Sequence, residues 1–168
     1  MTPIKIGRNG KRMDKEQIIA LLSEVHDPEI PVLSIADLGI LRQVEISDEV
    51  IHIQITPTYS GCPAMETIQE DIRNVLARQG YQKVEIEQTL FPAWTTDWMS
   101  ESGIRKLQDY GIAAPARGCF RQGEDQPECC PHCHSKNIAL ISRFGSTACK
   151  ALYRCLDCQE PFDYFKCH

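Results

Sequence analysis

Three observations in the 168-residue sequence predict an α+β fold, a small mixed sheet of about three strands with two helices on one face, followed by a small all-β domain. Apolar residues recur at helical spacing over Asp14 to Val25 and again over Met65 to Leu76. Two alternating apolar runs, Ile40 to Ile46 and Val50 to Ile55, lie between them, and a third, Tyr81 to Leu90, follows. Eight of the nine cysteines come after residue 118, four of them in two Cys-x-x-Cys pairs. Helix, hairpin, helix, strand is the order of a domain whose helices cover one face of a sheet.

Residues 1–13 carry Lys5, Arg8, Lys11 and Arg12 without a following apolar core of signal-peptide type, and are expected to be a flexible leader. The first helix begins at Asp14, an N-cap with Gln17 three residues on, and turns Ile18, Leu21, Leu22 and Val25 to one face. Two prolines within Asp27-Pro28-Glu29-Ile30-Pro31 forbid helix and central strand alike, so an extended loop is expected through Leu38-Gly39. In the hairpin, Ile40, Val44 and Ile46 share a face with Arg42, Ile51, Ile53 and Ile55 share another, and Ser47-Asp48-Glu49 joins the strands. The second helix buries Met65, Ile68, Ile72, Val75 and Leu76 and stops at Gly80; the third strand runs through Val84 and Ile86.

Between the second strand and the second helix lies Thr56-Pro57-Thr58-Tyr59-Ser60-Gly61-Cys62-Pro63-Ala64. Gly61 supplies the backbone freedom of a sharp turn, and Pro63 suits the first helical position, where no donor is missed. Cys62 therefore falls at or beside the helix cap. Unpaired amides and the positive dipole end favour an anion there, so its thiol is expected to be more acidic than a free cysteine. A capping or core cysteine without chemistry fits the same local pattern.

Phe91 to Met99 is aromatic and turn-like, and Ser100 to Tyr110 reads as a short helix ending at Gly111, which completes a first domain over residues 14–112. Residues 113–128 are Gly, Pro and polar side chains and read as a linker to a second domain over 129–168. There Cys130-Pro131-His132-Cys133 and Cys155-Leu156-Asp157-Cys158 stand 21 residues apart. Each pair can form a knuckle presenting two sulfurs to one ion, and two knuckles complete a tetrahedron. Zinc suits that geometry; a single iron or an iron-sulfur cluster is the alternative. A segment of about forty residues buries too little apolar surface to fold alone, so the metal supplies folding free energy. His134 follows the first knuckle where glycine is convenient, and Cys129 with His132 offers a competing pair in a shifted register. Cys149 reads as packing at a strand start, Cys167 and His168 as a frayed end, and Cys119 has no readable role.

Hydrophobic residues at 42% and charged residues at 24% describe an ordinary globular protein. No uncharged apolar run is long enough to span a bilayer, so no membrane partner and a cytoplasmic location are expected. Residues 129–168 carry a net +2 and the remainder −7, too little concentrated positive charge for nucleic acid. An odd cysteine count fits metal ligation or reactive thiols better than a disulfide framework. Neither His26 nor His52 has a sequence partner that would make it a catalytic base, and no Ser-His-Asp set, phosphate loop or dinucleotide fingerprint is legible.

From Asp14 to about Leu90 the chain resembles the small domain of iron-sulfur cluster assembly and targeting factors, including the SufT-like proteins. The residues that carry this are Asp27-Pro28-Glu29, Ile35-Ala36-Asp37-Leu38-Gly39 and Thr56 to Pro63. Joined to Phe144-Gly145-Ser146-Thr147-Ala148-Cys149-Lys150 and Glu160-Pro161-Phe162-Asp163-Tyr164-Phe165-Lys166, nearly the whole chain is similar to the PaaD family of bacterial phenylacetyl-CoA epoxidase systems, an assembly-type domain plus a zinc ribbon. The resemblance implies that Cys62 handles a cluster or metal, with Asp27 and Glu29 near it, and that the protein serves aerobic phenylacetate breakdown. Di-iron epoxidation is built from Glu and Glu-x-x-His sets on bundle helices, and the two main helices here contain no histidine. The expected role is therefore accessory and non-catalytic: insertion or maintenance of the iron-sulfur cluster of the reductase subunit, with Cys62 as a transient ligand. A structural adaptor of the epoxidase subunits, or an iron-binding redox protein, is the alternative. One cysteine cannot hold a cluster alone, so a client or the second chain of a homodimer must complete the ligand set.

Overall fold

The computed structural model describes residues 12–119, 123 and 125–168, so most of the expected leader lies outside the described residues. The chain divides into two compact units, with the boundary between Ala93 and Trp94. In the first, Asp14 caps α1 (Lys15–Leu22): its carboxylate accepts from the Gln17 amide at 2.9 Å while the Gln17 side-chain oxygen accepts from the Asp14 amide at 3.0 Å. The loop that follows is not extended throughout. Ser34 and Asp37 cap one another across a one-turn helix, α2 (Ile35–Leu38), which Gly39 closes with φ 69°. The Ser-x-x-Asp spacing carries that signal, but the prolines before it mask it.

The sheet has the order β1 (Leu41–Ser47), β2 (Val50–Ile55), β3 (Val84–Gln88); β1 runs antiparallel to β2 and β3 parallel to it, which makes the sheet mixed. Asp48 and Glu49, both at positive φ, form the two-residue turn between β1 and β2. Ile51, Ile53 and Ile55 are buried on one face, with Ile18 and Leu22 of α1 and Met65, Ile68, Ile72 and Leu76 of α3 (Ala64–Arg78) also in the core. The expected stripe on β1 is only partly realised. Val44 is buried, but the register shifts between Leu41 and Gln43, and Ile46 near the end of this edge strand is 39% exposed.

The second unit begins earlier than the sequence suggests. Trp94 is buried with its ring edge-on to Phe165 at 6.1 Å, and a short 3-10 turn (Thr96–Trp98) precedes the expected short helix, α4 (Glu101–Asp109), which Ser100 caps. Residues 113–119 are not a loose connection. Ala113 donates to the Asp163 carbonyl at 2.8 Å and accepts from the Phe165 amide at 2.9 Å, adding a bridge to the sheet edge. Composition points to a linker, whereas backbone pairing makes this segment part of the unit. Its sheet is β4 (Ile138–Ser142), β5 (Lys150–Cys155), β6 (Pro161–Phe165), antiparallel throughout, over a core of Ala113, Cys130, Ala151, Tyr153, Cys155, Phe162 and Tyr164. The expectation of free thiols also needs correction, because Cys119 and Cys167 form a disulfide. Nor is the stretch around Cys167 frayed: its amide donates to Asp125 at 2.9 Å. No helix among the described residues is long and apolar enough to cross a membrane.

Candidate metal centre and cysteine turn

Two knuckles bring Cys130, Cys133, Cys155 and Cys158 together with all four sulfurs within 4.8 Å of one another. Cys130 Sγ lies 3.8 Å from Cys158 Sγ, and Cys133 Sγ 3.5 Å from Cys155 Sγ. Zinc–sulfur bonds of about 2.3 Å at tetrahedral angles set sulfurs roughly 3.8 Å apart, so the number, type and spacing of the donors fit a four-thiolate zinc ion. Each knuckle closes on a residue in the left-handed region, His134 at φ 61° and Gln159 at φ 66°. The two loops are therefore alike, and the competing register through Cys129 is not the one adopted: Cys129 stands outside the sulfur cluster.

Electrostatics ask for a cation here. The Cys158 backbone amide pulls the Cys155 thiol down to about 7. At Cys158 the Glu160 amide lowers the thiol but is outweighed by desolvation and the neighbouring sulfurs, which push it up to about 12. The Cys155 thiolate forms readily while Cys133 and Cys158 resist, as expected of like charges crowded together without a counter-ion. A feature the spacing does not disclose ties the knuckles to each other: Asp157 accepts from Ser135 Oγ and, at 2.8 Å, from Asn137 Nδ2, and the Leu156 amide donates to the Asn137 carbonyl at 2.8 Å.

In the first unit, Cys62 stands two residues before α3, on a turn that Gly61 makes possible at φ 80°. Its carbonyl accepts from the Met65 amide and its amide donates to the Tyr59 carbonyl, both at 3.3 Å. The thiol is half-buried, and the acidity expected from the helix end is reversed. Burial raises its pKa, against lowering by the Ala64 amide and Tyr59, and the charges of Glu29 and Asp27 add to the rise. The amides near the helix start do act on the sulfur; desolvation is simply larger. Asp27 itself is buried, its carboxylate accepting from the Glu29 and Ile30 amides at 2.7 and 3.0 Å, which fixes the proline-rich loop. The three predicted residues are thus close enough for their charges to be felt at one sulfur.

His52 has partners that a linear reading could not supply. Its Nε2 lies 3.1 Å from Ser47 Oγ, and its Nδ1 3.0 Å from Glu85 Oε2. Register explains this: Glu85 pairs with His52 across the parallel ladder. The His52 and Glu85 side chains are 41% and 71% exposed, so the trio reads as a surface network rather than a catalytic triad, whose acid is buried.

Residues 15–87 match the family described as iron-sulfur cluster assembly protein, and residues 114–166 match the PaaD zinc beta ribbon domain. A protein of Escherichia coli (strain K12), named as the D component of a "Putative 1,2-phenylacetyl-CoA epoxidase", is 53% identical over 152 residues, covering 90% of this chain and 92% of its own. An "Fe-S protein maturation auxiliary factor" of Porphyromonas gingivalis (strain ATCC BAA-308 / W83) is 38% identical over 95 residues, 55% of this chain and 90% of its own. Among solved structures, a domain of unknown function, DUF59, from Bacillus anthracis superposes with a TM-score of 0.52 at 27% identity, covering 55% of this chain and 90% of that one.

Proposed function

Because the chain belongs to the PaaD family of phenylacetyl-CoA epoxidase components, we propose that it is a non-catalytic accessory component that helps insert or maintain the iron-sulfur cluster of the reductase subunit. The observation that carries this reading is Cys62: a half-buried thiol on the turn ahead of α3, whose pKa is raised by burial and further by the charges of Glu29 and Asp27. Such a sulfur is mostly protonated near neutral pH and ionises when iron displaces its proton, so ligation releases a proton and is weakened by it. A weak, exchangeable ligand suits hand-over better than storage. The relatives named as Fe-S protein maturation auxiliary factors support the same reading. The client, or a second chain in a homodimer, completes the ligand set, and the work is done in the cytoplasm.

The second unit holds one structural zinc on Cys130, Cys133, Cys155 and Cys158 and docks the client. A groove of about 620 Å³, lined in part by Leu140, Phe144 and Tyr153 with Arg143 and Lys166, offers a place for it. The test loads apo-reductase with cluster in the presence of this protein, of Cys62→Ala, and of neither. Faster incorporation with the native chain alone is expected; equal incorporation in all three sinks the idea. The exposed Leu140, Ile141 and Phe144 also favour a second reading, a structural adaptor between epoxidase subunits. That reading predicts stable co-purification with those subunits and epoxidase activity unaffected by Cys62→Ser.

A further inference from the structure

We propose that Cys119 and Cys167 are a redox-active pair, a thiol–disulfide exchange site separate from the zinc sulfurs and from Cys62, opened by a dithiol reductant. The same unit presents four cysteines that must be thiolates to hold a metal and two that are joined in a disulfide. In the cytoplasm, on which this inference rests as part of the proposed function, such a bridge is usually transient or redox-sensing rather than a permanent staple.

Each half of the pair has its own non-covalent anchors, so opening the bridge does not release either sulfur. On one side the turn before Cys119 is tied to the 3-10 turn: Asp97 Oδ1 accepts from the Gly118 amide, and Arg117 donates to the Asp97 carbonyl, both at 2.8 Å. On the other, the Cys167 amide donates to Asp125, the His168 carbonyl accepts from the Thr96 amide at 3.1 Å, and the His168 ring packs on Trp94 and Phe165 at 6.0 and 6.3 Å. The opened thiols stay side by side, ready to close again.

The surroundings also give the exchange a direction. Cys119 is 1% exposed, while Cys167 is only partly buried, so the attacking thiolate reaches Cys167 Sγ. The new bond is a mixed disulfide with Cys167, and the electron pair of the old S–S bond leaves on Cys119. Thr96 Oγ1 lies 3.4 Å from both Cys119 Sγ and the His168 carbonyl it donates to, so its one proton can turn to the leaving thiolate as charge develops there. The second thiol of the reductant then displaces Cys167 and becomes part of the reductant's own disulfide. The two protons of the dithiol end on Cys119 and Cys167. Thr96 is a positioning residue in this scheme.

The experiment equilibrates the full-length, zinc-loaded protein in mixtures of reduced and oxidised dithiothreitol, alkylates it, and maps the label by peptide mass spectrometry. Cys119 and Cys167 are expected to gain label together in one reversible two-electron transition without denaturant, while Cys130, Cys133, Cys155 and Cys158 stay protected. Thr96→Val should slow reduction by about tenfold, the loss of one hydrogen bond to a charged sulfur. Asp97→Ala should slow re-closure, and Cys149→Ser should change neither rate nor midpoint. Failure to find the Cys119–Cys167 bridge at any ratio, its replacement by a bridge to Cys129 or Cys149, or opening only after denaturation overturns the proposal.

Discussion

At the scale of the residue, Cys62 shows how two opposing effects on one sulfur are ranked. Proximity to a helix start favours the thiolate, but partial burial and the nearby Glu29 and Asp27 charges favour the thiol, and the second set wins. Alkylation of Cys62 by iodoacetamide, followed on its own peptide, should therefore rise with pH through a range above that of an ordinary cysteine. Glu29→Gln should move the profile toward lower pH, since it removes a negative charge that opposes ionisation. A profile centred at or below the ordinary value, unmoved by Glu29→Gln, would count against the arrangement. The sign for stability follows: a raised folded-state pKa means that the folded chain holds this proton more tightly than the unfolded one. Its contribution is complete below the ordinary cysteine pKa and is lost as pH rises through the raised one. Local sequence does not carry the ranking, because the burial of Cys62 and its distance from the Asp27-Pro28-Glu29 loop are matters of folding; only the family resemblance places those acids near the cysteine. What is legible is the turn itself, through Gly61 and Pro63.

Among the elements, those with strong local rules are readable and those that depend on partners are not. The capping box at Asp14, the alternation of Ile51, Ile53 and Ile55 and the periodicity of α3 each follow from backbone geometry and reappear in the structure. The 113–119 segment escapes a local reading because its pairing partner, β6, lies some fifty residues on, and no local signal announces such a bridge. The knuckles stand between these cases, since their spacing is local but the closing residues break a local rule. His134 and Gln159 occupy the left-handed region, which costs a side-chain-bearing residue roughly 1–2 kcal/mol, while glycine adds about 0.5–1 kcal/mol of unfolded-state entropy. The first term is the larger, so His134→Gly in the zinc-loaded protein should leave stability unchanged or raise it by up to about 1 kcal/mol, read as an upward shift in Tm. A clear loss of Tm or of bound zinc would instead make the His134 imidazole part of the metal site.

For the molecule as a whole, the two units differ in what holds them together, and the magnitudes say which will fail first. The core of the first unit, from Ile18 and Leu22 to Ile51, Ile53, Ile68 and Ile72, contains none of the four zinc-site cysteines. In the second, Cys130 and Cys155 are themselves fully buried core members, and the sulfurs crowd one another without a cation. Structural zinc contributes about 10–16 kcal/mol in small metal domains, whereas a bridge of 48 residues' separation such as Cys119–Cys167 constrains the unfolded chain by roughly 4 kcal/mol on the chain-entropy account. Metal therefore outweighs the bridge. Stripping it with a strong chelator at neutral pH should collapse amide-exchange protection in β4, β5 and β6 while β2 and α3 keep theirs, and reduction alone should leave all of them protected. Adding zinc back should restore β4 to β6 in proportion to the metal bound. Protection in those strands that survives chelation, with the Cys119–Cys167 bridge opened as well, would mean that the apolar set around Tyr153, Phe162 and Tyr164 folds without its ion.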